Sequence, residues 1–225
     1  MAQRQAMLLG ASGLVGGHCL RELLIAGDYG RVIAILRRDL SLGSNQSHVE
    51  KLEQRVKDLS SLEASDFAGV NDVFCALGTT IAKAGSQPAF RAVDYELPMR
   101  AARAAKAAGA EQFLLVSSVG ANPESSNFYL RTKGELERDL ATLGFKALHI
   151  FRPGLLLGAR QEFRFSESLA QRMAPLLNLV MWGPLTRFRS VRAERVAKAM
   201  VAAALQGGNG VMIYEYDGIA RAGRG

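Results

Sequence analysis

Short apolar runs alternate with longer amphipathic stretches along the whole chain. Residues 6–9 are uncharged and apolar, the length of a strand buried on both faces. Gly10, Gly13 and Gly16 follow at a spacing of three. From His18 to Ala26 apolar residues then recur at helical spacing, and Gly27 stops the run. Residues 31–36, 55–59, 70–80, 112–118, 146–152 and 210–214 read as further strands, the third of these running into a glycine turn at Gly78. Residues 89–108 are alanine-rich with Arg91, Arg100, Arg103 and Lys106 interspersed, which predicts a helix lying close on a sheet and ended by Gly109. Alternation of this kind predicts the α/β class, a doubly wound parallel sheet with helices on both faces. No repeat or linker divides the chain, so residues 1–225 are expected to form one domain. The alternation breaks from about residue 155 to 190, a segment rich in Arg, Phe, Met and Pro, and a small C-terminal lid over the carboxyl edge of the strands is expected there.

The first strand, its glycines and the following helix together predict a Rossmann-type pyrophosphate site. Glycine lets the backbone approach a phosphate, free amide N–H groups point at it, and the helix dipole favours its charge. The spacing is G-x-x-G-x-x-G rather than G-x-G-x-x-G, so the dinucleotide fingerprint fits loosely. A plain tight turn is the bland alternative. Strand two ends in Arg37-Arg38-Asp39, and Arg37 lies 21 positions after Gly16. An acid at that place suits the ribose 2′-hydroxyl of NAD; a guanidinium suits the 2′-phosphate of NADP. NADPH is therefore the expected cofactor with Arg37 as its principal contact, while Asp39 keeps NAD open.

Composition changes this picture little. Hydrophobic content of 48% and charged content of 22% are ordinary for a globular protein. The longest uncharged stretch, Met173 to Thr186, contains two prolines and is too short to span a membrane. A net charge of +7 raises the question of nucleic acid. Eight arginines and three glutamates lie between Arg152 and Arg195, but no aromatic-interleaved basic run accompanies them. A positive rim for an anionic small molecule fits as well, and neither nucleic acid nor membrane is expected as a partner. Two cysteines, Cys19 and Cys75, read as buried thiols of a reducing compartment, and three scattered histidines give no metal cluster. With little chain ahead of the first strand for a leader, the expected location is cytoplasmic.

Candidate chemistry follows the fifth strand. Ser117-Ser118 ends it, and Tyr129-Leu130-Arg131-Thr132-Lys133 opens a predicted helix. Tyr and Lys at i and i+4 share a helix face. A nearby ammonium favours the phenolate, so the tyrosine can exchange a proton with a carbonyl or alcohol oxygen while a nicotinamide exchanges hydride. A serine hydroxyl, Ser118 or alternatively Ser117, can hold that same oxygen. An ordinary exposed Tyr–Lys pair is the competing reading.

Taken in one register, Gly10-Ala11-Ser12-Gly13, Leu36-Arg37-Arg38, residues 75–80, Lys83-Ala84-Gly85, Ser117-Ser118, residues 125–134, Phe151-Arg152-Pro153-Gly154 and Arg160-Gln161-Glu162 resemble the atypical branch of the short-chain dehydrogenase/reductase superfamily. The resemblance is to the oxidoreductase Tat-interacting-protein family, related to the NAD-dependent epimerase/dehydratases. It implies cofactor contacts from Ser12, Gly13, Leu14 and Val15, with Leu77 and Gly78 bordering the cofactor and Asp58 near the adenine. It further implies Tyr129 as proton donor and acceptor, Lys133 on the nicotinamide ribose, and Leu156 and Arg160 along the cofactor or substrate edge. Ser118 stands 11 residues before Tyr129, closer than is usual in the superfamily, which weakens its assignment. An NADP(H)-binding sensor or scaffold that engages a protein partner is the second function compatible with these residues, and a homodimer is compatible with either.

Overall fold

A computed structural model of the chain describes residues 3–41, 47–157 and 183–224. Seven parallel strands form one sheet: β1 (Arg4–Leu9), β2 (Tyr29–Leu36), β3 (Leu52–Val56), β4 (Asp72–Cys75), β5 (Gln112–Val116), β6 (Ala147–Phe151) and β9 (Gly210–Tyr214). Their order across the sheet is β3-β2-β1-β4-β5-β6-β9, so the chain reverses its direction of travel between β1 and β4. Crossovers of opposite sense diverge at that point and leave a crevice at the carboxyl ends of the strands.

Strand alternation builds two cores. Ala6 and Leu8 of β1 face one side, where α1 (Leu14–Ile25) packs with α6 (Ala193–Gln206) through Leu20, Leu23, Val196 and Met200. Met7 and Leu9 face the other side, against α4 (Leu97–Ala107) and α5 (Phe128–Ala141) through Met99, Ala102, Leu136 and Leu140. Side chains that alternate across a strand and are apolar in both directions require helices on both faces. The predicted helix over 89–108 is one continuous run in which a single π-helical turn, Ala92–Glu96, joins α3 (Gln87–Arg91) to α4. Beyond β6, β7 (Leu156–Leu157) pairs in parallel with β8 (Val191–Arg192) in a separate two-stranded sheet. A last helix, α7 (Tyr216–Ala222), follows β9.

Two boundaries differ from the sequence pattern. β3 lies at 52–56 rather than 55–59, because the outer strand carries a charged ladder, Arg31–Glu53–Arg55, that masks its alternation. Asp58 instead accepts from the Ser60 amide at 2.9 Å and caps a short 3-10 turn. β2 starts two residues early at Tyr29, whose buried hydroxyl donates to Asp72. Of the predicted lid, residues 158–182 lie outside the described residues, and Arg160 with them.

Candidate functional site

Three backbone contacts explain the glycine triplet. Gly10 has φ +86, and a Cβ on it would sit 2.7 Å from the carbonyl oxygen of Ala76 at the end of β4. On Gly16 a Cβ would lie 2.0 Å from the Gly10 carbonyl oxygen, and the Gly13 amide donates to that same oxygen at 2.9 Å. The turn is thus wound too tightly for side chains. It leads directly into α1, whose N-cap Gly13 offers no side-chain cap and whose first turn contains no acid. Such a helix start leaves amide donors and the positive dipole end for an anion. Ser12 and Gly13 are exposed there, Leu14 is half-buried, and Val15 and Gly16 are buried beneath them. These are the features a pyrophosphate requires, and the residues present fit a dinucleotide.

Arg37 is exposed immediately after β2, one crossover away from the glycine turn. Leu77 and Gly78 follow β4 on the other side of β1. The carboxyl ends of β1, β2 and β4 therefore gather the predicted phosphate, ribose and nicotinamide contacts around one crevice. Leu156 lies in β7, after the Pro153-Gly154 turn.

Asn127 caps α5 by accepting from the Leu130 amide at 3.1 Å, which fixes Tyr129 in the first turn. A Cβ on Gly134 would lie 2.2 Å from the Asn122 carbonyl carbon, so this glycine seats α5 directly on the loop that follows β5. That contact carries the Tyr129 turn to the Ser117-Ser118 end of β5. Tyr129 is half-buried, its ring 5.5 Å from the ring of Phe90. Lys133, one turn on, is buried, with Nζ 2.7 Å from Asp94 Oδ1. This ion pair is the polar contact of Oδ1 among the described residues. Burial acts to lower the Lys133 pKa; the charges of Asp94 and Tyr129 outweigh it and leave the pKa raised.

The two serines separate. Ser117 is buried and donates its hydroxyl to Glu137 Oε1. Glu137 in turn receives Arg152 through Nη2 at 2.5 Å and Nε at 3.1 Å. Ser118 is half-buried with only a long 3.4 Å contact to the Val119 carbonyl, so its hydroxyl is the one available to a ligand. Asp94 and Glu137 are the residues that sequence reasoning missed. Glu137 continues the i, i+4, i+8 face of Tyr129 and Lys133, a signal open to inspection. Asp94 carried a weaker one, an acid flanked by Ala92, Val93 and Tyr95 in a helix whose charged residues other than Asp94 and Glu96 are basic.

Two open cavities lie elsewhere, one of about 520 Å³ beside Arg187, Tyr216 and Arg221 and one of about 510 Å³ between Leu62 and Met99. Neither is lined by the glycine turn, Tyr129 or Lys133. Among the described residues no cluster of His, Cys, Asp or Glu could hold a metal ion, and no helix is long and apolar enough to cross a membrane. Fold and site define a dinucleotide-binding α/β protein of the Rossmann kind.

Comparison with known proteins places it more closely. The model of the NAD(P)H-binding family matches residues 10–165. Protein FMP52-1, mitochondrial, of Scheffersomyces stipitis is 42% identical over 158 residues, 69% of this chain and 69% of that one. Protein HTATIP2 of Rattus norvegicus is 40% identical over 174 residues, 76% of this chain and 71% of its own. MoeE5 in complex with UDP-glucose and NAD shares the fold at a TM-score of 0.70 and 20% identity, over 93% of this chain and 75% of MoeE5. The chain belongs to the NAD(P)H-binding family, in an oxidoreductase-like group resembling atypical short-chain dehydrogenase/reductases. The names of the FMP52 relatives, from Saccharomyces cerevisiae as well as Scheffersomyces stipitis, are mitochondrial and overturn the cytoplasmic expectation. That expectation rested partly on two buried thiols, which indicate a reducing interior without saying which compartment holds it.

Proposed function

We propose that this protein is an NADPH-dependent oxidoreductase that interconverts a carbonyl compound and an alcohol. The observation that carries the reading is the placement of Tyr129 over a buried, ion-paired Lys133 on the α5 face that abuts the Gly78 turn. A binding module has no use for an ammonium held in the interior beside a phenol, since burying charge is costly.

The glycine turn and the start of α1 would hold the pyrophosphate through Ser12, Gly13, Leu14 and Val15, and the Arg37 guanidinium would bind the 2′-phosphate. NADPH, when bound, would supply the hydride for the carbonyl carbon. Tyr129 donates its phenolic proton to the carbonyl oxygen, which becomes the alcohol hydroxyl. Ser118 donates a hydrogen bond to that oxygen as its negative charge develops. Lys133 stabilises the phenolate left behind and offers its remaining donors to the ribose.

The test is a panel of aldehydes and ketones assayed for loss of reduced-nicotinamide absorbance. Tyr129→Phe is expected to lower turnover about 100-fold or more while NADPH affinity stays unchanged. Turnover equal to that of the wild type contradicts the assignment.

A further inference from the structure

Asp94 is the least expected side chain near the crevice. Its carboxylate is only 1% exposed and stands on the π-helical turn between α3 and α4. Oδ2 accepts the Thr79 amide at 2.8 Å, just past β4, while Oδ1 faces Lys133 Nζ on α5. A Cβ on Gly78 would lie 3.4 Å from Oδ1 and 3.9 Å from Nζ, so the ion pair lies directly beneath this glycine. Three elements thus converge on one carboxylate. A regular α-helical turn places successive side chains 100° apart; the π turn adds a residue and lets an acid project inward from a helix whose neighbours at that level are apolar. π turns of this kind recur at functional sites.

We propose that Asp94 is a positioning residue that keeps the Lys133 ammonium charged and fixed under Gly78, where the nicotinamide end of the cofactor is received. The groups facing Lys133 are Asp94 from the π turn, Tyr129 from its own helix and the buried Cys75 thiol from β4. Burial of Cys75 pushes its pKa up to about 11, which leaves it neutral at ordinary pH. Of these groups, Asp94 is the carboxylate in direct contact with the ammonium, at 2.7 Å, and it gives the largest opposition to the desolvation of Lys133. Removing the charge while keeping the shape leaves a buried amine that gives up its proton readily. Such an amine neither stabilises a phenolate nor donates to a ribose with the strength of an ammonium.

This inference rests on the oxidoreductase reading for its consequence, but its test does not need a substrate. Lysine side chains labelled with 13C at Cε are titrated by NMR, with the Lys133 signal assigned by its disappearance in Lys133→Met. In the wild type Lys133 titrates above the ordinary lysine value. In Asp94→Asn, which keeps an acceptor for Thr79, it titrates with an acid constant at least tenfold larger than in the wild type. Affinity for NADH and for NADPH, followed by fluorescence, falls at least fivefold in Asp94→Asn as pH rises through that new midpoint, and stays level in the wild type. An unshifted Lys133 in Asp94→Asn overturns the proposal. So does a wild-type Lys133 that titrates at or below the ordinary value, a result that does not depend on Asp94→Asn folding. Failure of NADH and NADPH to bind the wild type defeats the oxidoreductase reading instead, while the NMR titration still decides the role of Asp94.

Discussion

At the amino end of the sheet, Arg4 grips Asp72 through Nε at 2.7 Å and Nη2 at 2.6 Å. Tyr29 donates to the same carboxylate at 2.7 Å and Gln112 at 2.9 Å. The chain of contacts continues from Gln112 to His149 at 3.0 Å and from His149 to Tyr214 at 3.1 Å. Here the polar groups answer one another and no place is left for a ligand. At the carboxyl end the polar groups are left open: an uncapped helix start, an uncommitted Ser118, an exposed Arg37. Two buried polar groups stand here as well: Asp94 Oδ1, whose partner is the Lys133 ammonium, and Arg189 Nε, without a hydrogen bond among the described residues. Both belong to this carboxyl side, since the Arg189 backbone packs on Gly154 just after β6. One sheet therefore carries a saturated network at its amino end and, at its carboxyl end, an uncapped helix start with an available serine and an exposed guanidinium.

Changes at the two ends are expected to separate stability from binding. The largest effect belongs to the closed end. Asp72→Ala strands the Tyr29 hydroxyl and the Gln112 amide and frees Arg4, at a cost of about 3 kcal/mol. Urea unfolding reads that loss, and the NADPH affinity of the folded fraction is unchanged; a large drop in affinity would erase the distinction between the ends.

Acid sharpens the same comparison with a somewhat smaller effect. Burial lowers the His149 pKa from 6.5 to about 4. The unfolded chain then takes up a proton that the folded one refuses between those values. This contribution to stability is complete above pH 6.5 and is lost as pH falls toward 4. From pH 7 to pH 5 the wild type is expected to lose about 2 kcal/mol more than His149→Gln does, as measured by urea unfolding at both pH values. Equal losses would mean that His149 takes up protons equally in the folded and unfolded chains.

The smallest change lies at the open end. Arg37→Ala is expected to weaken NADPH about tenfold, about 1.4 kcal/mol, without altering NADH affinity or thermal stability in the absence of nucleotide. Titration with both nucleotides checks it, and an equal loss for NADH would remove Arg37 from the 2′-phosphate.

Much of the open end was legible because its signals are local. A glycine triplet between a strand and a helix, a guanidinium ending β2, and Tyr129 with Lys133 one turn apart are each written within a few consecutive residues. The partners that give those residues their setting were not legible. Asp94 meets Lys133 across 39 positions, and Ser117 meets Glu137 across 20, through packing that no periodicity records. The same limit moved β3: at an outer strand, charge replaces the apolar alternation on which strand assignment depends. The Asp72 network escaped notice for the same reason, since Arg4, Tyr29, Asp72 and Gln112 converge from four strands.

A crystal structure of the protein grown with NADPH tests the central claim most directly. The pyrophosphate should rest on the Gly10–Gly16 turn, with the adenosine phosphate at Arg37 and the nicotinamide between Gly78 and Tyr129. Nucleotide bound anywhere else on the molecule, or a turn left bare at saturating NADPH, would contradict the account.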